Sequence, residues 1–418
     1  MDDGWTTGNR FRLLENGEEY FPRLIAAIGA ASSSVLLETF ILSEDDVGSQ
    51  VAEALVAAAR RGVCVALTVD GFGTADLSAD YMARLAQAGV AVRMFSPGHR
   101  LLGKRANLFR RLHRKLVAID ASIAFVGGIN LCVDHLVEAS PIAKQDYVVE
   151  VQGPAAQVIH TFMQEALDAG AEARHAERRR RRPAAPENAV SDAALPGAAL
   201  LVTRHNQAHR NDIEQHYLMA IRAARREIII ANAYFLPGYR LLQAICAAAR
   251  RGVDVRLILQ GRPDMLWVKR TVDMLYAHLR GSGVRIFEYC ERPIHSKVAV
   301  VDDDWATVGS SNLDPLSLSL NLEANLVIRD DTFVATLKDN LRDLMSRSCT
   351  EISAVDNGHG AWWHGIATPV IFHFLRKFPA WAGWLPAHTP RLVSPEVPAA
   401  APEPPADMAM HNVQRDGP

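Results

Sequence analysis

The stretch "LHRKLVAID" (residues 112–120) returns, altered but in register, as "IHSKVAVVD" (294–302). In both copies a His is followed after one residue by Lys, and after four more by Asp. The first copy holds His113, Lys115 and Asp120; the second holds His295, Lys297 and Asp302. Between Lys and Asp the residues are apolar, Leu116, Val117, Ala118 and Ile119 in one copy and Val298, Ala299, Val300 and Val301 in the other. Such a run reads as a buried strand. Side chains at i and i+2 share one face of a strand, so each His points the same way as its Lys. A lone charge in a core is costly, so a buried Lys beside a His calls for an anion to bind.

Outward from these motifs the repetition widens. Asn130 follows His113 at the distance at which Asn312 follows His295. A turn of small residues precedes each Asn, "VGG" (126–128) and "VGSS" (308–311), and such turns let backbone N–H groups approach a phosphate. Carboxylates recur downstream, Asp146 in "KQDYVVEV" and Glu323 in "NLEANLVI". Further upstream "AAARRGV" stands at 57–63 and again at 247–253. Each copy lies between two strand-like runs: "SVLLETFIL" (34–42) and "CVALTVDG" (64–71), then "EIIIANAYFL" (227–236) and "DVRLILQG" (254–261). The pattern is strand, helix ending at Arg-Gly, strand. Gly after the last turn is a helix stop, and the Arg pair suits the negative end of the helix dipole. The expected fold class is therefore α/β: two related halves, each a mixed sheet flanked by helices, with the site between them.

The chemistry follows from the residue types. A phosphodiester is an anion with two non-bridging oxygens. Lys115, Lys297, Asn130 and Asn312 can neutralise and orient them. One His can attack phosphorus while the other protonates the departing alcohol and later deprotonates the incoming one. Asp146 and Glu323, grouped with the two Asn as the substrate-binding set, can fix each imidazole in the needed tautomer through its second nitrogen. One half-site would lack either nucleophile or acid, which accounts for the repeat. A hydrogen-bonded core His explains a single motif, but not two copies sharing the His, Lys, Asp and Asn offsets. The segments lack HExxH and CxxC spacing, and each His is followed by a cation where a metal would want a carboxylate, so neither metal nor cofactor is expected.

Composition sets the bounds. The chain has 418 residues, 49% hydrophobic and 22% charged, with a formal net charge of −2. A nucleic-acid binder is usually more basic, so no nucleic-acid partner is expected. The five Cys are odd in number and scattered, which fits free thiols in a reducing compartment. "MDDGWTTGNRF" is not a signal peptide. No apolar run approaches the length a membrane span needs, so any meeting with a membrane is expected from the side.

The motifs resemble those of the phospholipase D superfamily, whose members carry two His-x-Lys-x4-Asp motifs on a pseudo-symmetric duplicated fold. Segments such as "LLENGEEYFPRLIAAI" (13–28), "HRNDIEQHYLMAI" (209–221), "WATVGSSNLDPLSLSLNLEANLVI" (305–328) and "WLPAHTPRL" (384–392) are similar to bacterial cardiolipin synthases lacking N-terminal transmembrane helices. The resemblance spans about residues 5–392. It implies a phosphatidyl transfer from one phosphatidylglycerol to another, through a phosphohistidine, at a cell membrane on its cytoplasmic side. It further implies His113 as nucleophile and His295 as acid/base. Asp120 and Asp302 belong to the catalytic motif, and in the superfamily their role is thought to be structural. Phosphatidylethanolamine or a free alcohol as partner, a hydrolase, and a superfamily nuclease are the alternatives the motif leaves open. A catalytically dead binding module is disfavoured because both motifs are intact.

The rest of the chain divides accordingly. Residues 1–172 form an N-terminal half and 199–355 a C-terminal half. Residues 173–198, "ARHAERRRRRPAAPENAVSDAALPGA", with five consecutive Arg, read as a surface linker. Residues 393–418 are Pro/Ala-rich and read as a disordered tail. In 356–392, Ile371, Phe374, Leu375 and Phe378 fall on one helix face, and four of the seven Trp (Trp362, Trp363, Trp381, Trp384) flank it. That pattern suits a helix lying in a membrane surface. "RLLGKRANLFRRL" (100–112) interleaves Arg with Leu and Phe and reads as a solvated loop or a lip for lipid headgroups. The Gly-x-Gly of "DGFGTAD" (70–76) reads as a loop and not a nucleotide site.

Overall fold

The computed structural model describes residues 4–352 apart from 75, 96–99, 102–103, 106–110, 141, 168–196, 206–208, 262–274, 315–316 and 319, and also residues 392–393. The docking helix around 371–378, its Trp residues, and nearly all of the linker and tail lie outside the described residues.

The first half contains β1 (Arg10–Glu15), α1 (Asn16–Gly29), β2 (Ser34–Thr39), α2 (Asp46–Arg60), β3 (Cys64–Asp70), α3 (Ala79–Gln87) and β4 (Ala91–Phe95). A two-stranded ribbon, β5 (Arg100–Leu101) and β6 (Lys104–Arg105), then leads to β7 (Leu116–Ile119), β8 (Ile123–Gly127), β9 (Tyr147–Gln152) and α4 (Pro154–Leu167). The second half runs β10 (Ala198–Arg204), α5 (Asp212–Ala223), β11 (Glu227–Asn232), α6 (Tyr239–Arg250), β12 (Asp254–Gln260), β13 (Arg285–Tyr289), β14 (Lys297–Val301), β15 (Trp305–Gly309), β16 (Glu323–Arg329), α7 (Asp331–Ser348) and β17 (Cys349–Glu351). Leu392 and Val393, at the expected boundary between docking segment and tail, form β18 against β4.

Two eight-stranded sheets result. Their orders are β1-β9-β8-β7-β2-β3-β4-β18 and β10-β16-β15-β14-β11-β12-β13-β17. Strand for strand these are one order used twice, apart from the origin of the last strand. β2–β3–β4 and β11–β12–β13 are parallel, while the motif strands β7 and β14 pair antiparallel to β2 and β11. Both sheets are therefore mixed.

The duplicated "AAARRGV" ends α2 and α6 in the same way. Gly62 (φ 88°) and Gly252 (φ 91°) take the left-handed conformation that reverses the chain after the last turn. The second Arg of each pair serves the neighbouring helix rather than its own. Arg61 Nη2 donates to the carbonyls of Ile28 and Ala31 at the C-terminal end of α1, and Arg251 Nη2 to those of Ile221, Arg222 and Ala224 at that of α5. A cation at a helix C-terminus contributes about 0.3–1 kcal/mol.

The two sheets face each other across one apolar layer. Leu116, Ala118, Val126 and Val149 from the first sheet and Ala231, Val298, Val300 and Val308 from the second line it, with Ile159 and Met163 of α4 and Val334, Leu337 and Leu341 of α7 between them. α1–α3 cover the outer face of one sheet and α5–α6 that of the other. This burial on both faces is why the motif strands are continuously apolar.

Candidate active site

Each His sits just before its strand, where the chain leaves its own sheet and pairs with the other half. His113 N–H donates to the Leu322 carbonyl (3.0 Å) and Leu322 N–H to the Arg111 carbonyl (2.9 Å). In the pseudo-symmetric place His295 N–H donates to the Gln145 carbonyl (2.8 Å) and Gln145 N–H to the Pro293 carbonyl (2.9 Å). The residue ahead of each His is held by the side chain that ends the third strand: Asp70 Oδ2 accepts from Leu112 N–H (2.8 Å) and Gln260 Oε1 from Ile294 N–H (2.5 Å). Four backbone hydrogen bonds thus bring the two motifs together.

These bridges also cross the carboxylates. His113 Nδ1 lies 3.0 Å from Glu323 Oε2, and His295 Nδ1 lies 2.6 Å from Asp146 Oδ2. Each imidazole is held by a carboxylate from the opposite half. Asp146 and Glu323 therefore contact the His residues directly. A carboxylate accepts, so each ring carries a proton on Nδ1 and turns its Nε2 away from the carboxylate. The His113 and His295 side chains keep 12% and 17% of their surface exposed, while both carboxylates are at 0%.

Lys115 Nζ donates to the His113 carbonyl (2.8 Å) and Lys297 Nζ to that of His295. Both Lys are buried. Burial pushes Lys115 down to about 7, helped by Lys297 and opposed by Glu323, Asp146 and Asp70. Burial likewise pushes Lys297 down to about 8, against Asp146 and Glu323. Burial also holds His113 low and His295 well below the usual imidazole value, with Lys297 and Lys115 acting on both rings. The site is a cluster of cations kept ready to share an anion.

The two carboxylates differ. Burial alone would raise Glu323, but His113, its hydrogen bond, Lys115 and the Ser310 hydroxyl (2.5 Å) outweigh it and leave it below its ordinary value. Burial wins at Asp146 and raises it, despite Lys297 and His135. The small-residue turns serve these carboxylates. A Cβ on Gly128 would stand 2.5 Å from both Asp146 carboxylate oxygens, so that Gly makes room for Asp146.

Asp120 and Asp302 do not join the site; both lie beyond the far ends of β7 and β14. Asp120 accepts from the N–H groups of Ser32, Ser33 and Ser34 and the hydroxyls of Ser32 and Ser33. Asp302 accepts from the N–H groups of Arg225, Arg226 and Glu227. Both adopt the left-handed conformation (φ 51° and 50°) that Asp tolerates in a turn. They brace the start of β2 and β11, and their inclusion with the catalytic residues is corrected on that ground. Burial would raise Asp120, but the three N–H donors hold it well below the usual carboxylate value.

The two Asn are buried. Asn130 Oδ1 accepts from Ile41 N–H (3.2 Å), while Asn312 Oδ1 is buried without a hydrogen-bond partner. Three features had no distinct signal in the repeat. Phe40 packs its ring 5.0 Å from that of His113, with Lys115 Nζ 5.3 Å away. Arg111, from the Arg-rich stretch, stacks on Phe72 at 3.8 Å. His135 stands 5.7 Å from the His295 ring. Phe40 corresponds to Ala233 by strand register, and His135 to Ser317, so both break the symmetry that made the motifs visible.

Comparison with known proteins places the chain. The family model described as "Cardiolipin synthase, PLD-like domain" matches residues 24–164 and 217–345, one segment in each half. Cardiolipin synthase B of Escherichia coli K12 is 51% identical over 401 residues, covering 96% of this chain and 95% of that protein. Cardiolipin synthase A of Pseudomonas aeruginosa LESB58 is 34% identical over 339 residues, 79% of this chain and 66% of that protein. The crystal structure of phosphatidylserine synthase from Haemophilus influenzae Rd KW20 superposes with a TM-score of 0.67, covering 89% of this chain and 93% of that one at 14% identity, which speaks for the fold alone. The duplicated halves, the facing His-x-Lys motifs and these matches agree: the chain belongs to the phospholipase D-like cardiolipin synthase family.

Proposed function

We propose that the protein joins two phosphatidylglycerol molecules into cardiolipin and glycerol at the cytoplasmic face of the cell membrane. The observation that carries this reading is the pair of crossed dyads, His113–Glu323 and His295–Asp146, beside two buried Lys. His113 Nε2 attacks phosphorus, and the bond from phosphorus to the glycerol oxygen breaks. His295, protonated, gives its proton to that oxygen, and glycerol leaves. His295 then takes the proton of a hydroxyl on the second phosphatidylglycerol. That oxygen attacks phosphorus, the phosphorus–nitrogen bond breaks, and His113 is regenerated. Lys115 and Lys297, with the amides of Asn130 and Asn312, carry the non-bridging oxygens. The ionised Glu323 supports assigning the nucleophile to His113, because it stabilises the imidazolium-like phosphohistidine; the raised Asp146 suits a His that must gain and lose a proton.

The deciding experiment uses labelled phosphatidylglycerol with the His295→Ala and His113→Ala variants. His295→Ala accumulates a phosphatidyl adduct on His113, and His113→Ala forms none. An adduct on His295 reverses the roles, and full activity in either variant refutes the scheme. Product analysis with ethanolamine or other alcohols present tests the acceptor. No nucleic-acid substrate is proposed. Among the described residues no helix is long and apolar enough to cross a membrane; attachment from the side through residues 361–392 is part of the proposal. Removal of 361–418 weakens co-sedimentation with anionic vesicles if that segment docks the protein; unchanged binding by a folded truncation assigns docking elsewhere.

A further inference from the structure

Behind the second dyad lies an imidazole that the duplication does not explain. His135 ends the short turn Val133–His135 after β8 and is wholly buried. Its ring stands edge-on to that of His295. One ligand-type atom from each of His135, Asp146 and His295 lies within 4.8 Å of the other two. Two imidazoles and a carboxylate suit zinc, but the tautomer argues otherwise. Asn130 N–H donates to His135 Nε2 at 3.3 Å. That lone pair is used, so a neutral ring carries its proton on Nδ1 and has no lone pair left for a metal. The Nδ1 is buried with no hydrogen-bond partner, and an unmet buried donor costs about 1–3 kcal/mol.

The contrast between the two carboxylates suggests what offsets this cost. Glu323 receives the Ser310 hydroxyl. Gly128 occupies the matching position in the first half, so Asp146 has no such hydroxyl. It accepts from Tyr147 N–H (2.8 Å) and faces His295. We propose that His135 is a positioning residue for Asp146: its Nδ1–H directs the positive end of a dipole at the buried Asp146–His295 pair, keeps Asp146 ionised, and thereby holds His295 in the tautomer that transfers protons. Lys297 and Lys115 act on Asp146 in the same sense against burial, and Lys144 and His295 are the remaining charged neighbours of His135. Without the His135 donor, Asp146 takes up a proton at higher pH. Turnover that needs the carboxylate is then lost earlier as pH falls.

This inference rests on His295 as the acid/base, and the test separates the two claims. Full-length His135→Leu and His135→Asn are assayed on phosphatidylglycerol vesicles across the acid and neutral range. In His135→Leu the acid limb of kcat moves up by about one pH unit, a roughly tenfold loss there, with the alkaline plateau and KM unchanged. His135→Asn keeps an N–H donor and recovers most of the loss. A uniform fall in kcat at every pH, or an unmoved acid limb, overturns the proposal. If His135→Leu does not fold, His135→Asn decides: a near-native profile supports the proposal and a uniformly depressed one overturns it. The second readout needs no turnover. In 15N-histidine-labelled protein the His295 Nδ1 proton signal changes at higher pH in the variant while the His113 signal does not; no difference between variant and wild type overturns the proposal even where adduct trapping fails. Zinc binding by the wild type that His135→Leu abolishes would also overturn it, because it would require the other tautomer.

Discussion

Binding of a phosphodiester anion to this site should take up protons, and the amount can be worked out in advance. Lys115 sits at about 7 and Lys297 at about 8 in the free protein, and both must be charged to hold the anion. The bound anion raises both values, so binding is strongest below pH 7 and weakens as pH rises through 7 and 8. At pH 7 Lys115 is half charged and Lys297 mostly charged, giving an uptake of about 0.6 proton per anion; at pH 8 the figure is about 1.4. Between pH 7 and 9 affinity falls by roughly 10²–10³-fold, each neutral Lys costing about tenfold per pH unit. The ligand should be a soluble diester such as dimethyl phosphate, whose own charge is constant over this range. Calorimetry in two buffers of different ionisation enthalpy measures the uptake directly. Lys115→Met should remove the component centred near 7 and leave the one near 8. Flat affinity from neutral to alkaline pH with no proton uptake would refute the reasoning, and so would an unchanged pH dependence in Lys115→Met.

Other perturbations test separate parts of the structure. Arg114, between His113 and Lys115, points to the opposite side and pairs with Glu38 at 2.8 Å with both side chains 4% exposed; Arg114→Ala should cost about 3–5 kcal/mol by leaving a buried carboxylate unpaired, and a loss under about 1 kcal/mol in urea unfolding would contradict this. Asp120→Ala should destabilise by about 1–3 kcal/mol through the donors it abandons, with kcat unchanged at temperatures where the variant is folded; a selective loss of kcat would return Asp120 to the catalytic set. Gly128→Ala should displace Asp146 and lower kcat by about 10²-fold, as read by steady-state kinetics on a folded variant, whereas native activity would show that the carboxylate has room to move. Chelation with EDTA should leave turnover unchanged once vesicle aggregation is controlled for; a loss restored by a divalent ion would refute a metal-independent reaction.

Much of the fold was open to reading in the sequence because its signals are local. A strand buried on both faces must be continuously apolar, and a helix that stops must reverse its chain, so "CVALTVDG" and "AAARRGV" announce β3 and the end of α2, and their repeats announce β12 and the end of α6. Duplication then multiplied the weight of every motif residue: one His-x-Lys is ordinary, while two at matched offsets required a shared anion. The same reasoning could not separate residues that act on substrate from residues that hold the frame. Asp120 and Asp302 repeat as faithfully as the His residues, yet they cap backbone N–H groups at the far end of the strand.

What only the tertiary structure decided is which carboxylate meets which imidazole. Spacing along the chain offers Asp146 to His113 and Glu323 to His295, each within its own half. The bridges from Leu322 to His113 and from Gln145 to His295 exchange them. That exchange depends on how two sheets pack, and packing is set by the shared apolar layer rather than by any local pattern. His135 and Phe40 were hidden for a related reason. Each has an unlike residue at its counterpart position, so comparing the halves gave no signal, and their relevance comes from a neighbour brought close by the fold. The sequence by itself determined the parts and their doubling, because strand, turn and charge pattern are written in nearest neighbours; the pairing across the halves belongs to the folded core, because only there do residues far apart in the chain share one buried anion site.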